Sequence, residues 1–273
     1  MDQLTLMAVH AHPDDEVMST GGIFARYADE GIRTVLVTCT NGEQGDGAGG
    51  AKPGEDGHDA ADVARQRLSE LRESAGHLGI THVELLGYQD SGMDGWDANH
   101  DAASFANVPL EESSAKLAAL IERYRPQVIV TYDENGGYGH PDHIQAHRIT
   151  VAATESTGIP AKLYYTAIPR QRMKEMFEAL KAAGMEFDDF EPDADFGTPD
   201  ELITSVVDVS GTVERKVKAL RAHASQGDSA FLLKMPEEAQ QMVFSHEAFV
   251  RVSSAVEAPG HEDDLFAGLR RPY

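Results

Sequence analysis

The amino-acid sequence predicts an α/β fold: a Rossmann-like, mostly parallel sheet flanked by helices, with an elaborated C-terminal third. Three observations carry this expectation. Short apolar runs bounded by turn residues, Leu4 to Val9, Thr34 to Val37 and Val128 to Val130, read as strands buried on both faces. Helical patterns separate them with short joins, the alternation that crossovers between parallel strands require. Two motifs rich in His and Asp follow two of those runs, at strand ends where open α/β sheets bind ligands.

The 273 residues suffice to bury a sizeable core, and one domain spanning 1–273 is expected, with a core of about 1–166 and an elaboration of about 167–273. Acidic residues number 46 against 23 basic ones, a formal net charge of −23. Such a surface repels phosphate backbones and anionic bilayers, so neither nucleic acid nor a membrane is an expected partner. Much of the charge lies in loops, Glu55 to Asp62 and Asp188 to Asp200, where water solvates it. The single cysteine, Cys39, sits inside an apolar run, which reads as a buried thiol and leaves no disulfide framework within the chain. The first residues enter a strand with no basic segment or long apolar stretch, so a cytoplasmic location is expected.

After the first strand, Ala11 to Glu16 reads AHPDDE. Pro13, with its fixed φ and no amide hydrogen, ends the strand and lets His12, Asp14 and Asp15 turn towards a common point. The plainer alternative is a surface turn with an acidic cap for a helix from about Met18 to Asp29. Ile23, Phe24, Ala25 and Tyr27 lie in that helix, and Gly31 closes it. Gly21 and Gly22 lack the spacing of GxGxxG or of the Walker loop, which excludes a nucleotide loop. Beyond the second strand, Asn41 to His58 is rich in Gly and charge and too long for a simple turn, the kind of loop that is functional or disordered. Asp46, near its start, is placed to reach a ligand.

Ala60 to Leu78 reads as a helix with Val63, Leu68, Leu71 and Ala75 towards a core. Arg67 in it can fork onto a polar ligand, a surface arginine being the default. Val83, Leu85 and Leu86 make a third strand, and Asp90 leaves its exit as an acceptor for ligand hydroxyls or as a turn cap. A helix around Leu117, Leu120, Ile121 and Tyr124 ends at Pro126, and the fourth strand runs into Asn135 to His143, NGGYGHPDH. Farther on, a strand is expected at Leu163 to Thr166 and a helix with Met173, Met176, Phe177 and Leu180 as ordinary core positions. A strand within Ile203 to Val209, a helix over Val213 to His223 and a last strand at Phe249 to Ser253 complete the pattern.

Two His-Pro-Asp turns at two strand ends read as one site. His12, Asp15 and one of the later histidines supply two nitrogens and one oxygen, a set that suits zinc with an open position, or iron(II). With AHPDDE and HPDH in these positions, the sequence resembles the PIG-L/LmbE-like superfamily of metal-dependent de-N-acetylases. TCTNGEQGD, QDSGM and TYDENGGYGHPDH are similar to its actinobacterial mycothiol enzymes, the N-acetylglucosaminyl-inositol deacetylases and the mycothiol S-conjugate amidases. LRAHASQ at Leu220 to Gln226 and the DLFAGL ending look more like the amidases.

The resemblance implies that His12, Asp15 and His143 bind zinc, with iron(II) as the alternative, and that Asp14 is the general base. It implies His140, oriented by Asp142, as general acid or electrostatic stabiliser, and Tyr138 as a holder of the oxyanion. Arg67 and Asp90 match sugar and inositol contacts. Asp46 stands where the deacetylases have Glu, and Ser19 where the amidases have Lys and the deacetylases a small hydroxyl. The expected function is a zinc amidohydrolase of an N-acylated glucosaminyl-inositol substrate, with conjugate amidase first and deacetylase as its alternative. An iron(II) oxygenase and a non-catalytic sugar-binding module are the readings from other classes. Expected partners are a small amino sugar or thiol conjugate, and long apolar faces in the C-terminal third are compatible with self-association.

Overall fold

The computed structural model describes residues 3–182 and 196–270. The chain alternates through β1 (Thr5–His10), α1 (Asp15–Asp29), β2 (Arg33–Thr40), α2 (Ala60–Leu78), β3 (His82–Tyr88), α3 (Leu110–Tyr124), β4 (Val128–Thr131), α4 (Gly136–Gly139), α5 (Pro141–Thr157) and β5 (Lys162–Ala167). The C-terminal third adds α6 (Arg170–Ala182), β6 (Ser205–Asp208), α7 (Val213–Ala222), α8 (Gly227–Leu233), α9 (Glu237–Phe244) and β7 (His246–Ser254). The seven described strands form one sheet in the order β3-β2-β1-β4-β5-β7-β6. The first five are parallel, and only β7 runs against the rest, antiparallel to both β5 and β6.

Strand periodicity divides the core. Leu6 and Ala8 of β1 face one side, with Phe24 of α1, Leu71 of α2 and Leu220 of α7, while Met7 and Val9 face the other, with Ile121 of α3 and Ile149 of α5. Every residue of β1 is buried, as a central parallel strand covered on both faces must be. Cys39 is buried in β2, and no helix of the described residues is long and apolar enough to cross a membrane.

The C-terminal third is keyed into this sheet by buried ion pairs. Lys162 of β5 and Glu262 meet at 2.6 Å, both fully buried, and Glu262 also accepts from Tyr164 at 2.7 Å. Lys216 of α7 donates to Glu247 at 2.6 Å and to the Met18 carbonyl at 3.0 Å, while Glu247 accepts from the backbone N–H groups of Gly22 and Ile23. Removing one partner of such a pair costs about 3–5 kcal/mol, because the other is left buried and uncompensated.

Three details differ from the sequence reading. The first helix begins at Asp15, not near Met18, because Asp14 takes a left-handed conformation (φ 109°, ψ −29°) that turns the chain into the helix at once. Asp15 and Glu16 then occupy the first turn, where the helix dipole favours carboxylates. The last strand inserts between β5 and β6, a long-range pairing that local pattern does not encode. Part of the expected acidic loop, 188–195, and the Leu180 side chain lie outside the described residues, while Met176 packs on the core as expected.

Candidate active site

β1 and β4 are hydrogen-bonded neighbours, with Ala8 opposite Val130, so the turns that follow them open side by side. In the first turn the His12 backbone N–H donates to Asp15 Oδ2 at 2.7 Å, and the Asp14 N–H donates to Glu16 Oε2 at 2.9 Å. Glu16 is itself fully buried and accepts from Ser74 and, at 2.8 Å, from His223 Nε2. A backbone with positive φ at a non-glycine residue costs about 1–3 kcal/mol and persists where its surroundings hold it. Here Glu16, Ser74, Arg67 and His223 hold it.

His12, Asp15 and His143 come together. Asp15 Oδ2 lies 3.3 Å from His12 Nδ1, Asp15 Oδ1 lies 3.5 Å from His143 Nε2, and the two rings are 5.2 Å apart. His143 donates from Nδ1 to the Gly136 carbonyl at 3.1 Å, and its buried Nε2 has no hydrogen-bond partner. Gly136 is required at that contact: its φ is +63°, and a Cβ there would lie 2.6 Å from the His143 Cβ. Burial pushes the His143 imidazole down to about 4. Against its own burial, Asp15 is held well below the usual carboxylate range by His143 and His12. His12 is likewise buried, yet Asp90 and Asp142 hold its imidazole well above the ordinary value. The donor sets whose atoms all lie within 4.8 Å of one another are His12 with His140 and His143, and His12 with Asp90 and Asp142, with Asp15 beside the first, 3.3 Å from His12 and 3.5 Å from His143.

Beside these donors stands Asp14, whose Oδ2 receives Arg67 Nη2 at 3.1 Å. Burial raises its carboxyl to about 6 although Arg67 opposes the shift. In the second turn, Pro141 opens α5, so His140 is the cap residue and its Nδ1 accepts the Asp142 backbone N–H at 3.1 Å. The sequence expectation that the Asp142 carboxylate orients His140 is therefore corrected. That carboxylate instead accepts from Ser91 N–H at 2.9 Å, from the Ser91 hydroxyl, and from His12 Nε2 at 3.2 Å. Burial first, then His12 and His143, push the His140 imidazole down to about 3. Tyr138 is exposed, its ring edge-on to His143 at 5.0 Å and to His140 at 6.2 Å.

The four expected substrate contacts all line one cavity of about 1110 Å³, together with His12, Asp14, Asp15, Tyr138, His140 and His143. They are not equally free. Arg67 is buried, and its fork goes to the Gly42 carbonyl at 2.8 Å, the Pro13 carbonyl at 2.6 Å and Asp14. Asp90 is buried and accepts from Gly92 N–H at 2.8 Å and Gln44 N–H at 3.3 Å, 3.5 Å from His12 Nε2. Asp46 meets Lys52 at 2.6 Å and Gly227 N–H at 3.3 Å, and Ser19 is half-buried at the cavity wall. His10 and His147 are bonded within the protein, His10 to Thr20 at 2.8 Å and His147 to the Tyr132 carbonyl at 3.0 Å.

Sequence reasoning missed Tyr132, Glu16, Ser91 and His223. Tyr132 donates to Asp15 Oδ2 at 2.7 Å, accepts from Ala11 N–H at 2.8 Å and stacks on His143 at 4.1 Å. Its place at the exit of β4 and that of Glu16 inside AHPDDE were signals that could have found them. Nothing local marks His223, which arrives from the C-terminal third.

A mostly parallel sheet here delivers paired imidazoles and carboxyl groups to adjacent strand ends, a donor set that can hold a metal ion beside the Asp14 carboxyl. Residues 7–154 match the family PIG-L, GlcNAc-PI de-N-acetylase, and the chain belongs to that family. It is 43% identical over 279 residues to a 1D-myo-inositol 2-acetamido-2-deoxy-alpha-D-glucopyranoside deacetylase of Acidothermus cellulolyticus, covering 97% of this chain and 95% of the relative. A protein of the same name from Geodermatophilus obscurus is 39% identical, covering 97% of each chain. In fold it is similar to an N,N'-diacetylchitobiose deacetylase from Pyrococcus horikoshii, with a TM-score of 0.58 at 17% identity over 92% of this chain and 84% of that one. The chain is an enzyme that hydrolyses amide bonds.

Proposed function

We propose that the protein is a zinc-dependent deacetylase of an N-acetylglucosaminyl-inositol type amino sugar. The observation that carries this reading is the buried, unpartnered Nε2 of His143 beside Asp15 and His12. Each imidazole is anchored at one nitrogen by an acceptor, His143 by the Gly136 carbonyl and His12 by Asp142, and turns its other nitrogen to Asp15, at 3.5 Å and 3.3 Å. Metal-ligating histidines are held in that way. Two nitrogens and a carboxylate suit zinc, with iron(II) as the alternative. When bound, the metal supplies a Lewis acid that makes water acidic near neutral pH and polarises the acetyl carbonyl.

The remaining steps belong to this chain's own groups. Asp14, poised at about 6, is largely ionised at neutral pH and takes the proton of the attacking water. The same carboxyl can return that proton to the departing amine, so one group serves as base and then as acid. His140 accepts an N–H at Nδ1, which leaves its own hydrogen on Nε2, and an imidazole pushed down to about 3 stays neutral. That supports a donor to the developing oxyanion over an imidazolium acid, with Tyr138 as the second donor. Ser19, Asp46 and Asp90 take sugar hydroxyls, and Arg67 acts through Asp14.

The sequence reading placed conjugate amidase first. The curated relatives carry the deacetylase name, which moves deacetylation ahead of it. The test is release of acetate from N-acetylglucosaminyl-inositol by the zinc-loaded protein, beside release of the acetylcysteine adduct from a bimane conjugate of mycothiol. Faster acetate release, lost on chelation and restored by zinc, is expected. Faster cleavage of the conjugate would return the amidase reading, and silence on both would overturn the glucosaminyl-inositol substrate.

A further inference from the structure

Large apolar side chains exposed on this chain are not scattered. Of the ten most exposed among the described residues, Leu85, Leu110 and Met242 lie elsewhere and the other seven line the active-site cavity. Three of the seven, Met18, Met93 and Trp96, line the same cavity as Ser19, Asp46 and Asp90. Met18 adjoins Ser19 in sequence, and Met93 and Trp96 follow Asp90 on one segment. Two of the three polar contacts, Ser19 and Asp90, therefore lie within a few residues of an apolar lining group in the chain.

Trp96 is 39% exposed, although an indole offers more apolar area than any other side chain and is ordinarily covered. It is nonetheless fixed. Its backbone N–H donates to the Met93 carbonyl at 3.0 Å, its carbonyl accepts from Asn99 N–H at 2.9 Å, and the Asn99 amide spans to the Ser91 carbonyl at 2.6 Å. The indole closes over Gly92, whose φ is +67° and where a Cβ would lie 2.7 Å from the ring. Ser91 on the same segment holds Asp142, so the platform and the catalytic centre share one rigid support.

We propose that Trp96, with Met18 and Met93, is a stacking platform for the C–H face of the polyol ring whose hydroxyls Ser19, Asp46 and Asp90 take, and thereby a specificity-determining residue. The inference rests on the amino-sugar reading above. Pyranose and cyclitol rings present a hydroxyl edge and an apolar face, and the cavity lining offers a partner for each. A preformed indole gives contact area at little ordering cost. An acyclic N-acetyl amine of the same polarity has no such face and gains nothing from it.

Trp96 is the only tryptophan of the chain, so its emission reports directly on the site. The zinc-loaded protein is titrated with glucosaminyl-inositol, followed in parallel by calorimetry and by tryptophan fluorescence. A saturable change in emission that tracks the calorimetric isotherm is expected. Trp96→Ala should weaken binding and raise KM by about tenfold, the worth of one aromatic contact, with kcat little changed, and Trp96→Phe should recover most of it. Gly92→Ala keeps the indole but displaces it, and should weaken binding as the alanine variant does. Binding by calorimetry with unaltered emission, or a Trp96→Ala protein that binds as well as the parent, overturns the platform. No binding heat at all overturns the amino-sugar reading, and the platform with it.

Discussion

The tripeptide His-Pro-Asp occurs twice in this site, and its two copies do opposite things. In His12-Pro13-Asp14 the proline lies before the helix, Asp14 is the cap residue in a left-handed conformation, and its carboxylate faces the cavity against Arg67. In His140-Pro141-Asp142 the proline is the first helical residue, His140 is the cap, and the Asp142 carboxylate is fully buried on Ser91 and His12. The helix starts two residues earlier relative to the second tripeptide than to the first. That shift leaves one aspartate facing the cavity, where the proposed reading makes it the base, and the other behind His12. Residue type is set by the motif, and role by its register against the helix N-terminus.

The comparison breaks most sharply at the two aspartates. Asp14→Asn should lower kcat by about 100- to 10,000-fold, the usual worth of a general base, with zinc content unchanged by atomic absorption. Asp142→Asn should instead weaken zinc binding by about 10- to 100-fold, the usual cost of losing the group behind a ligating histidine. Near-normal turnover in the first variant would remove Asp14 as base, and unchanged zinc affinity in the second would detach Asp142 from His12.

How far the site was legible follows from the same register. Every predicted site residue lines the cavity except Asp142, which stands behind His12; the residues at strand ends were legible because strand ends and proline punctuation are written locally, whereas Ser19 and Tyr138 came from the family resemblance. The parallel core from β1 to β5 was legible for the same reason, each strand being an apolar run with a helix after it. What each atom does was less legible. The partner of Asp142, the bonding of Arg67 to backbone carbonyls and the turn at Asp14 depend on where helices begin to within one residue. His223, bonded to Glu16 from 207 positions away, and β7, inserted between β5 and β6, depend on long-range packing that no local period records.

The pH profile sharpens the assignment of Asp14 next. Its carboxyl stands at about 6 because burial disfavours the charge more than Arg67 favours it. A base must be ionised, so kcat should show an acid limb, falling tenfold per pH unit below the pKa of Asp14. Removing the cation disfavours the ionised form further. In Arg67→Met the acid limb should therefore move to higher pH, by about one unit or more. No equivalent limb is expected from Asp142, which never faces the cavity, and an unmoved limb in Arg67→Met would separate Asp14 from the observed titration.

The smallest effect isolates the backbone from the chemistry. Replacing Asp14 by Ala or by Gly removes the same carboxylate and the same contact with Arg67, so the two variants should lose activity alike and differ only in what the backbone tolerates. At φ 109° a Cβ is strained and glycine is not, which favours the glycine variant by more than the roughly 0.5–1 kcal/mol it loses to unfolded-state freedom. Asp14→Gly should thus be more stable than Asp14→Ala, by about 1 kcal/mol in denaturant unfolding. At Asp142, inside the first turn of α5, the order should reverse, with the glycine variant less stable than the alanine one by about 0.5–1 kcal/mol. Opposite signs at the two copies of one tripeptide would tie the division of labour to helix register, and equal signs would mean that Asp14 is not held in the left-handed turn in solution.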